Sequence, residues 1–267
     1  MREKDAKVAS PRAISSENGY GTFDAPVYKT QMPMKPGPHS FVRAFTMIEF
    51  LIVIMCLCIL ALIFLPTLTR PKVYAQRINC VNNLKQAGVA FRTWALDNGD
   101  KYPGQVSVTN GGTMELVDGG IVWPHFSVMS NELSTPKILV CPEDTARQTS
   151  IATTFAATVP VGSTLTRPFT NDANVSYFVG VDAVDTAPSM FLSGDANFGL
   201  DRALPKAGLQ SFSTNSNIAW YRPRHEKGKA GNIGLADGSV QVLNSKALRK
   251  ALRASGVTNR LAIPASP

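Results

Sequence analysis

The chain has 267 residues, 44% of them hydrophobic, which suits one long apolar segment plus one globular domain of ordinary size and excludes two large domains. Of the net charge of +8, the first 44 residues supply seven basic and four acidic groups, and the 20 basic and 15 acidic groups beyond them leave +5. No Lys/Arg cluster with interleaved aromatics follows, which excludes a nucleic-acid module; four cysteines without a Cys-x-x-Cys pair, and histidines far apart at 39, 125 and 225, fit no zinc motif.

Residues 1–44 are polar, contain Pro11, Pro26, Pro33, Pro36 and Pro38, and show neither helical nor strand periodicity. They are expected to form a disordered leader, and a start at Met32 or Met34 would shorten it to about a dozen residues. From Phe45 to Leu65 run 21 residues whose one charge is Glu49. At a rise of roughly 1.5 Å per residue they cover about 31 Å, which predicts a transmembrane helix over 45–66. A carboxylate costs about 2.5 to 3.5 kcal/mol at a bilayer centre and less near its edge, so Glu49 calls for a partner. The plain alternative is a signal anchor that tolerates an acid near its boundary.

The string Arg43-Ala44-Phe45-Thr46-Met47-Ile48-Glu49, running into that apolar stretch, resembles the class III signal of type IV prepilins and type II secretion pseudopilins. The resemblance implies cleavage between Ala44 and Phe45 by a prepilin peptidase, N-methylation of Phe45, and pairing of Glu49 with the terminal amine of a neighbouring pilin or pseudopilin subunit. Ala44 departs from the glycine usual before the cut. The implied topology is a single-pass inner-membrane protein, in contact with membrane lipid, with a cytoplasmic leader and its C-terminal part in the periplasm or at the cell surface. Charge asymmetry gives no independent orientation, because Lys29, Lys35 and Arg43 precede the apolar run while Arg70, Lys72, Arg77 and Lys85 follow it.

Past Pro66, Ile78, Val81, Leu84, Gly88, Phe91 and Ala95 recur at spacings of three and four, so residues 67–98 are expected to extend the helix as an amphipathic segment ending at Asp97-Asn98-Gly99. Pro66 and Pro71 predict a kink or short break between Pro66 and Lys72. The block Cys80-Val81-Asn82-Asn83-Leu84-Lys85-Gln86, then Phe91, Trp94 and Asn98-Gly99-Asp100-Lys101-Tyr102-Pro103, resembles a bacterial family of pseudopilin-like proteins whose C-terminal motif is a histidine, nine residues and Asp-Gly. In the oxidising space that the implied topology provides, Cys80 and Cys141 are the candidate disulfide, worth roughly 4 kcal/mol on the chain-entropy model. Two small buried cysteines are the equal alternative. Cys56 and Cys58 lie inside the apolar run.

Residues 99–267 are expected to form a β-rich extracytoplasmic domain. Residues 104–140 read as a loop with short strands, Ile138 to Pro142 as a short buried segment, and 143–170 as a surface loop. Val175 to Val181 and Ser189 to Asp195 read as two antiparallel strands. Asn232 to Ala236 and Ser239 to Leu243 alternate about Asp237-Gly238, a hairpin signal. His225 stands upstream with 11 residues before Asp237, two more than in the family motif. A short basic helix over 244–253, capped by Asn244 or Ser245, and a loose tail complete the chain.

His225, Asp237, Asp195 and Asn197 are weak candidates for a cation site, since oxygen ligands plus an imidazole suit a divalent metal. Turn chemistry explains Asp237 and Asp195-Ala196-Asn197 more simply, and a hydrogen bond into the hairpin explains His225. No catalytic residue or cofactor is expected. The expected fold is therefore α+β and pilin-like: a long N-terminal helix with a transmembrane first half, packed on a small antiparallel sheet. The expected function is assembly through that helix into a pilus-like filament or a type II secretion-type system; the alternative is a membrane-anchored extracytoplasmic domain that binds a ligand or carries out metal-dependent hydrolysis.

Overall fold

The computed structural model describes residues 45–64, 69–158, 166–221, 225 and 230–265. The expected leader and its junction at Ala44, the expected kink at Pro66 and residues 226–229 lie outside them. The chain divides into two units, Met1–Ile54 and Met55–Pro267. Helix α1 covers Met47–Phe64 and helix α2 Thr69–Asp97.

The membrane expectation is corrected. The 18 residues of α1 rise to roughly 27 Å, short of the ~30 Å of a hydrocarbon core. Among the described residues no helix is long and apolar enough to cross a membrane. The single-pass segment over 45–66, the inner-membrane localisation built on it and the pilin-like fold class with a transmembrane first half therefore do not hold. What stands is α+β with an antiparallel sheet, and that sheet has six strands. Pro71 does not break α2: it is the third residue of the helix, where its missing N–H removes no intrahelical bond.

The sheet is built from β1 (Tyr177–Gly180), β2 (Phe191–Asp195), β4 (Gly208–Phe212), β6 (Ala230–Leu235), β7 (Val240–Asn244) and β8 (Asn259–Ile263) in the order β4-β8-β1-β2-β6-β7. Every pairing in it is antiparallel. A two-stranded sheet joins β3 (Phe198–Leu200) to β5 (Ile218–Trp220). The residues expected as a loose tail are β8, inserted between β4 and β1, because Leu261 and Ile263 face one core while Ala262 faces the other. The segment 104–140 holds single turns and the short helices α3 (Trp123–Ser127) and α4 (Ser130–Leu133), with no strand among its described residues. Nor is 143–170 all surface: Asp144 and Arg147 form a buried ion pair at 3.1 Å, and Phe169 is buried.

Alternation along the strands gives the sheet two buried faces. On one, Tyr177, Val179 and Leu192 meet Cys80, Leu84, Ala87, Phe91 and Trp94 of α2. On the other, Phe178, Phe191 and Ile233 meet β3, β5 and the amphipathic helix α5 (Ser245–Ala254) through Phe198, Trp220, Leu248 and Leu252. Asn244 caps α5, its Oδ1 accepting from the Ala247 N–H at 2.9 Å. The buried face of α2 shares Leu84, Gly88, Phe91 and Ala95 with the expected stripe but passes through Cys80 at its N-terminal end, where Ile78 is exposed. The β6–β7 turn docks on the same helix and on the segment just after it: Arg92 Nη1 donates to the Asp237 carbonyl at 2.8 Å and Tyr102 Oη to that of Ala236 at 3.0 Å.

His125, buried in α3, sits 2.6 Å by Nδ1 from Thr113 Oγ1. Burial pushes its pKa down to about 4 from the usual 6.5. The unfolded chain therefore binds the extra proton between these values, so the stability is complete above pH ~6.5 and is lost as the pH falls towards about 4. The shift corresponds to about 3 kcal/mol. Urea unfolding at pH 7 and pH 4 should show the wild type losing about that much more than His125→Gln; parallel losses would contradict the assignment.

Candidate functional site

Four polar side chains from four separate segments meet between α2 and the sheet. Cys80 comes from the middle of α2, Cys141 from the segment after the turn Pro136–Leu139, Asp195 from the end of β2, and His225 from a bridge to Ala230 just before β6. All four are fully buried, and one ligand-capable atom from each lies within 4.8 Å of the others.

Local backbone explains how they arrive. Cys80 lies one turn from Leu84 on the buried face of α2, so packing that face on the sheet carries the thiol inward. Asp195 stands opposite Tyr177 in the β1–β2 register, and the Tyr177 hydroxyl lies 3.2 Å from Cys80 Sγ. His225 is placed by reciprocal backbone bonds with Ala230, 3.0 and 3.1 Å long.

Asp195 is the hub. Its Oδ2 accepts the Asn232 backbone N–H at 2.7 Å and lies 3.1 Å from His225 Nε2, while its Oδ1 faces the Cys80 thiol at 3.7 Å. His225 Nε2 is also 3.8 Å from Cys141 Sγ. The other ring nitrogen, Nδ1, lies 2.9 Å from Glu143 Oε2, at ion-pair distance but out of line for a formed hydrogen bond.

The electrostatics follow from burial and from these contacts. Burial alone would lower the His225 pKa, yet hydrogen bonds and charge from Asp195 and Cys141 raise it to about 10. The Cys80 thiol is pushed well up by burial, then by its bond to Cys141 and the Asp195 charge. Cys141 goes the other way, because Cys80 donates to its sulfur and His225 stands beside it. Burial raises Glu143 despite the adjacent imidazole.

The order Cys141, His225, Glu143 is that of a thiol nucleophile, a base and an orienting acid. Burial argues against that use: the Cys141 sulfur has no exposure to offer a substrate, and the Nε2 that would serve it is shared with Asp195. The arrangement suits a closed ligand set or a buried ion pair flanked by thiols.

Of the residues singled out in the sequence, Asp195 and His225 are brought together, and Cys80 and Cys141 join them as adjacent free thiols. Asp237 is elsewhere, its Oδ1 accepting from Ser239 N at 2.8 Å within the hairpin turn, where Gly238 has φ +83°. Asn197 is bonded to the Tyr221 carbonyl at 3.4 Å. Sequence reading missed Glu143 and Tyr177 and kept cysteines apart from the acid and the histidine. Separations such as the 115 residues between Cys80 and Asp195 carry no local signal; the one available hint was that both cysteines fall in apolar contexts. At the N-terminal signal, Thr46 caps α1: its N–H and Oγ1 each donate to Glu49 Oε2 at 3.0 Å, and Glu49 N–H donates back to Thr46 Oγ1 at 3.3 Å, a capping box. These bonds, the backbone one first, hold the Glu49 carboxyl below its usual range.

Comparison with protein-family models, with curated proteins and with solved structures gave no match.

The hub role sets an expectation for stability. Asp195→Leu leaves a buried imidazole without its counter-charge and the Asn232 N–H without an acceptor, and is expected to cost about 3 to 5 kcal/mol in denaturant unfolding. A loss below about 1 kcal/mol, the size of an exposed pair, would contradict that role.

Proposed function

We propose that the chain is a prepilin-processed, pseudopilin-like subunit that associates with further pilin or pseudopilin subunits through α1. The observation that carries this reading is the surface of that helix. Large apolar side chains are exposed on all its sides, among them Met47, Phe50, Leu51, Met55, Leu57 and Leu62. Glu49 is the single charge between Phe45 and Leu65. A helix apolar all round is stable only when something covers it, and an array of equivalent helices does so. Cleavage between Ala44 and Phe45 supplies the second element, an ammonium one residue before the Thr46 cap and four before Glu49. In an apolar bundle, pairing each carboxylate with a neighbour's amine relieves the desolvation of both charges and sets the register between subunits.

The hydrolytic alternative would place its chemistry at Cys141, His225 and Asp195, and their complete burial gives it no support.

The mature protein should begin at N-methyl-Phe45 in amino-terminal mass spectrometry. With that terminus in place, Glu49→Gln keeps the side chain's shape and removes its charge. Cross-linking of the variant with wild-type copies is expected to fall by about tenfold, equivalent to ~1.4 kcal/mol. Undiminished cross-linking, or a chain whose terminus is still Met1, would overturn the reading.

A further inference from the structure

We propose that Cys80, Cys141, Asp195 and His225 form a closed, tetrahedral site for a divalent cation of the zinc type, which clamps α2 to the sheet. The donor set is the first argument. Two thiol sulfurs, one imidazole nitrogen and one carboxylate oxygen suit zinc; calcium and magnesium call for all-oxygen shells and iron–sulfur clusters for more thiolates.

Geometry is the second. A tetrahedron with metal–sulfur bonds of about 2.3 Å and metal–nitrogen or –oxygen bonds of about 2.0 to 2.1 Å has edges of roughly 3.3 to 3.8 Å. Cys80 Sγ to Asp195 Oδ1 is 3.7 Å, Cys141 Sγ to His225 Nε2 is 3.8 Å, and His225 Nε2 to Asp195 Oδ2 is 3.1 Å. One ligand-capable atom from each of the four residues lies within 4.8 Å of the others, so a contraction of at most about 1 to 1.5 Å brings the set to that edge length.

The surroundings are the third. Glu143 faces the far nitrogen of His225 at 2.9 Å, the position of the carboxylate that orients a metal-bound histidine and leaves Nε2 for the metal. Tyr177 Oη, 3.2 Å from Cys80 Sγ, can donate to a thiolate there. An ion pair between His225 and Asp195 accounts for those two groups alone. It gives no reason for two sulfurs 61 positions apart in sequence to converge on the same point. Binding displaces to solvent the thiol protons of Cys80 and Cys141 and any proton on His225 Nε2, and changes no oxidation state. With four protein ligands and no exposure, the ion has no open position, so its role is to hold structure.

The test uses the full-length protein and the metals themselves. Isolated without chelator, it should contain zinc in stoichiometric amount. With Co2+ in its place it should show thiolate-to-cobalt charge-transfer absorption, reduced by about half in Cys141→Ser. Alkylation gives a readout on the wild type alone, which decides the matter if the serine variant does not fold. Cys80 and Cys141 should react only after the metal has been stripped. Absence of the charge-transfer band, protection of the two buried thiols that is indifferent to chelator, or a Cys80–Cys141 disulfide in the isolated protein would each overturn the proposal.

Discussion

The constraint on which the larger unit depends is the burial of a carboxylate. Asp195 ends a central strand with no exposure to solvent, and a carboxyl group so placed is costly unless its oxygens are hydrogen-bonded or paired. Its partners come from α2, from the adjacent strand and from the bridge that precedes that strand, so satisfying one side chain fixes the positions of three segments. The rest of that face is apolar and adapts around this point. Leu84, Ala87, Phe91 and Trp94 extend the contact along α2, and Arg92 and Tyr102 fasten the far end to the β6–β7 turn.

The parts of this structure written in short-range pattern were legible in the sequence. Asp237-Gly238 between alternating runs marks its hairpin because few other residue pairs fit that turn. Asn244 marks the start of α5, and Asp97-Asn98-Gly99 the end of α2, where Gly99 has φ +67°. β8 was not legible: Asn259–Ile263 is short, and its place between β4 and β1 is set by partners roughly 50 and 80 positions away. The buried face of α2 was legible from Leu84 to Ala95 and missed only at its N-terminal end, since Ile78 and Val81 are more apolar than Cys80 and periodicity weighs hydrophobicity. Packing of that face on the sheet carries Cys80 inward, and its polar contacts with Asp195 and Tyr177 appear only with the tertiary structure.

The apolar run at the N-terminus shows the opposite error. Counting from Phe45 to Leu65 made it 21 residues long, whereas the helix begins at Met47, because Thr46 and Glu49 close its first turn as a capping box. The cap uses the same carboxylate whose presence in an apolar helix called for a partner. Its local bonds from the neutral Thr46 donors go to one oxygen of Glu49, so the cap and the proposed pairing with a cation are compatible uses of one side chain.

The central claim, that Asp195 and its partners join α2 to the sheet as one cooperative unit, is tested most directly by native-state hydrogen exchange followed residue by residue. The account predicts that the amides around Cys80 in α2 and that of Asn232 in β6 open with the same free energy and the same denaturant dependence. Exchange of α2 through a separate, lower-energy opening while Asn232 stays protected would contradict it.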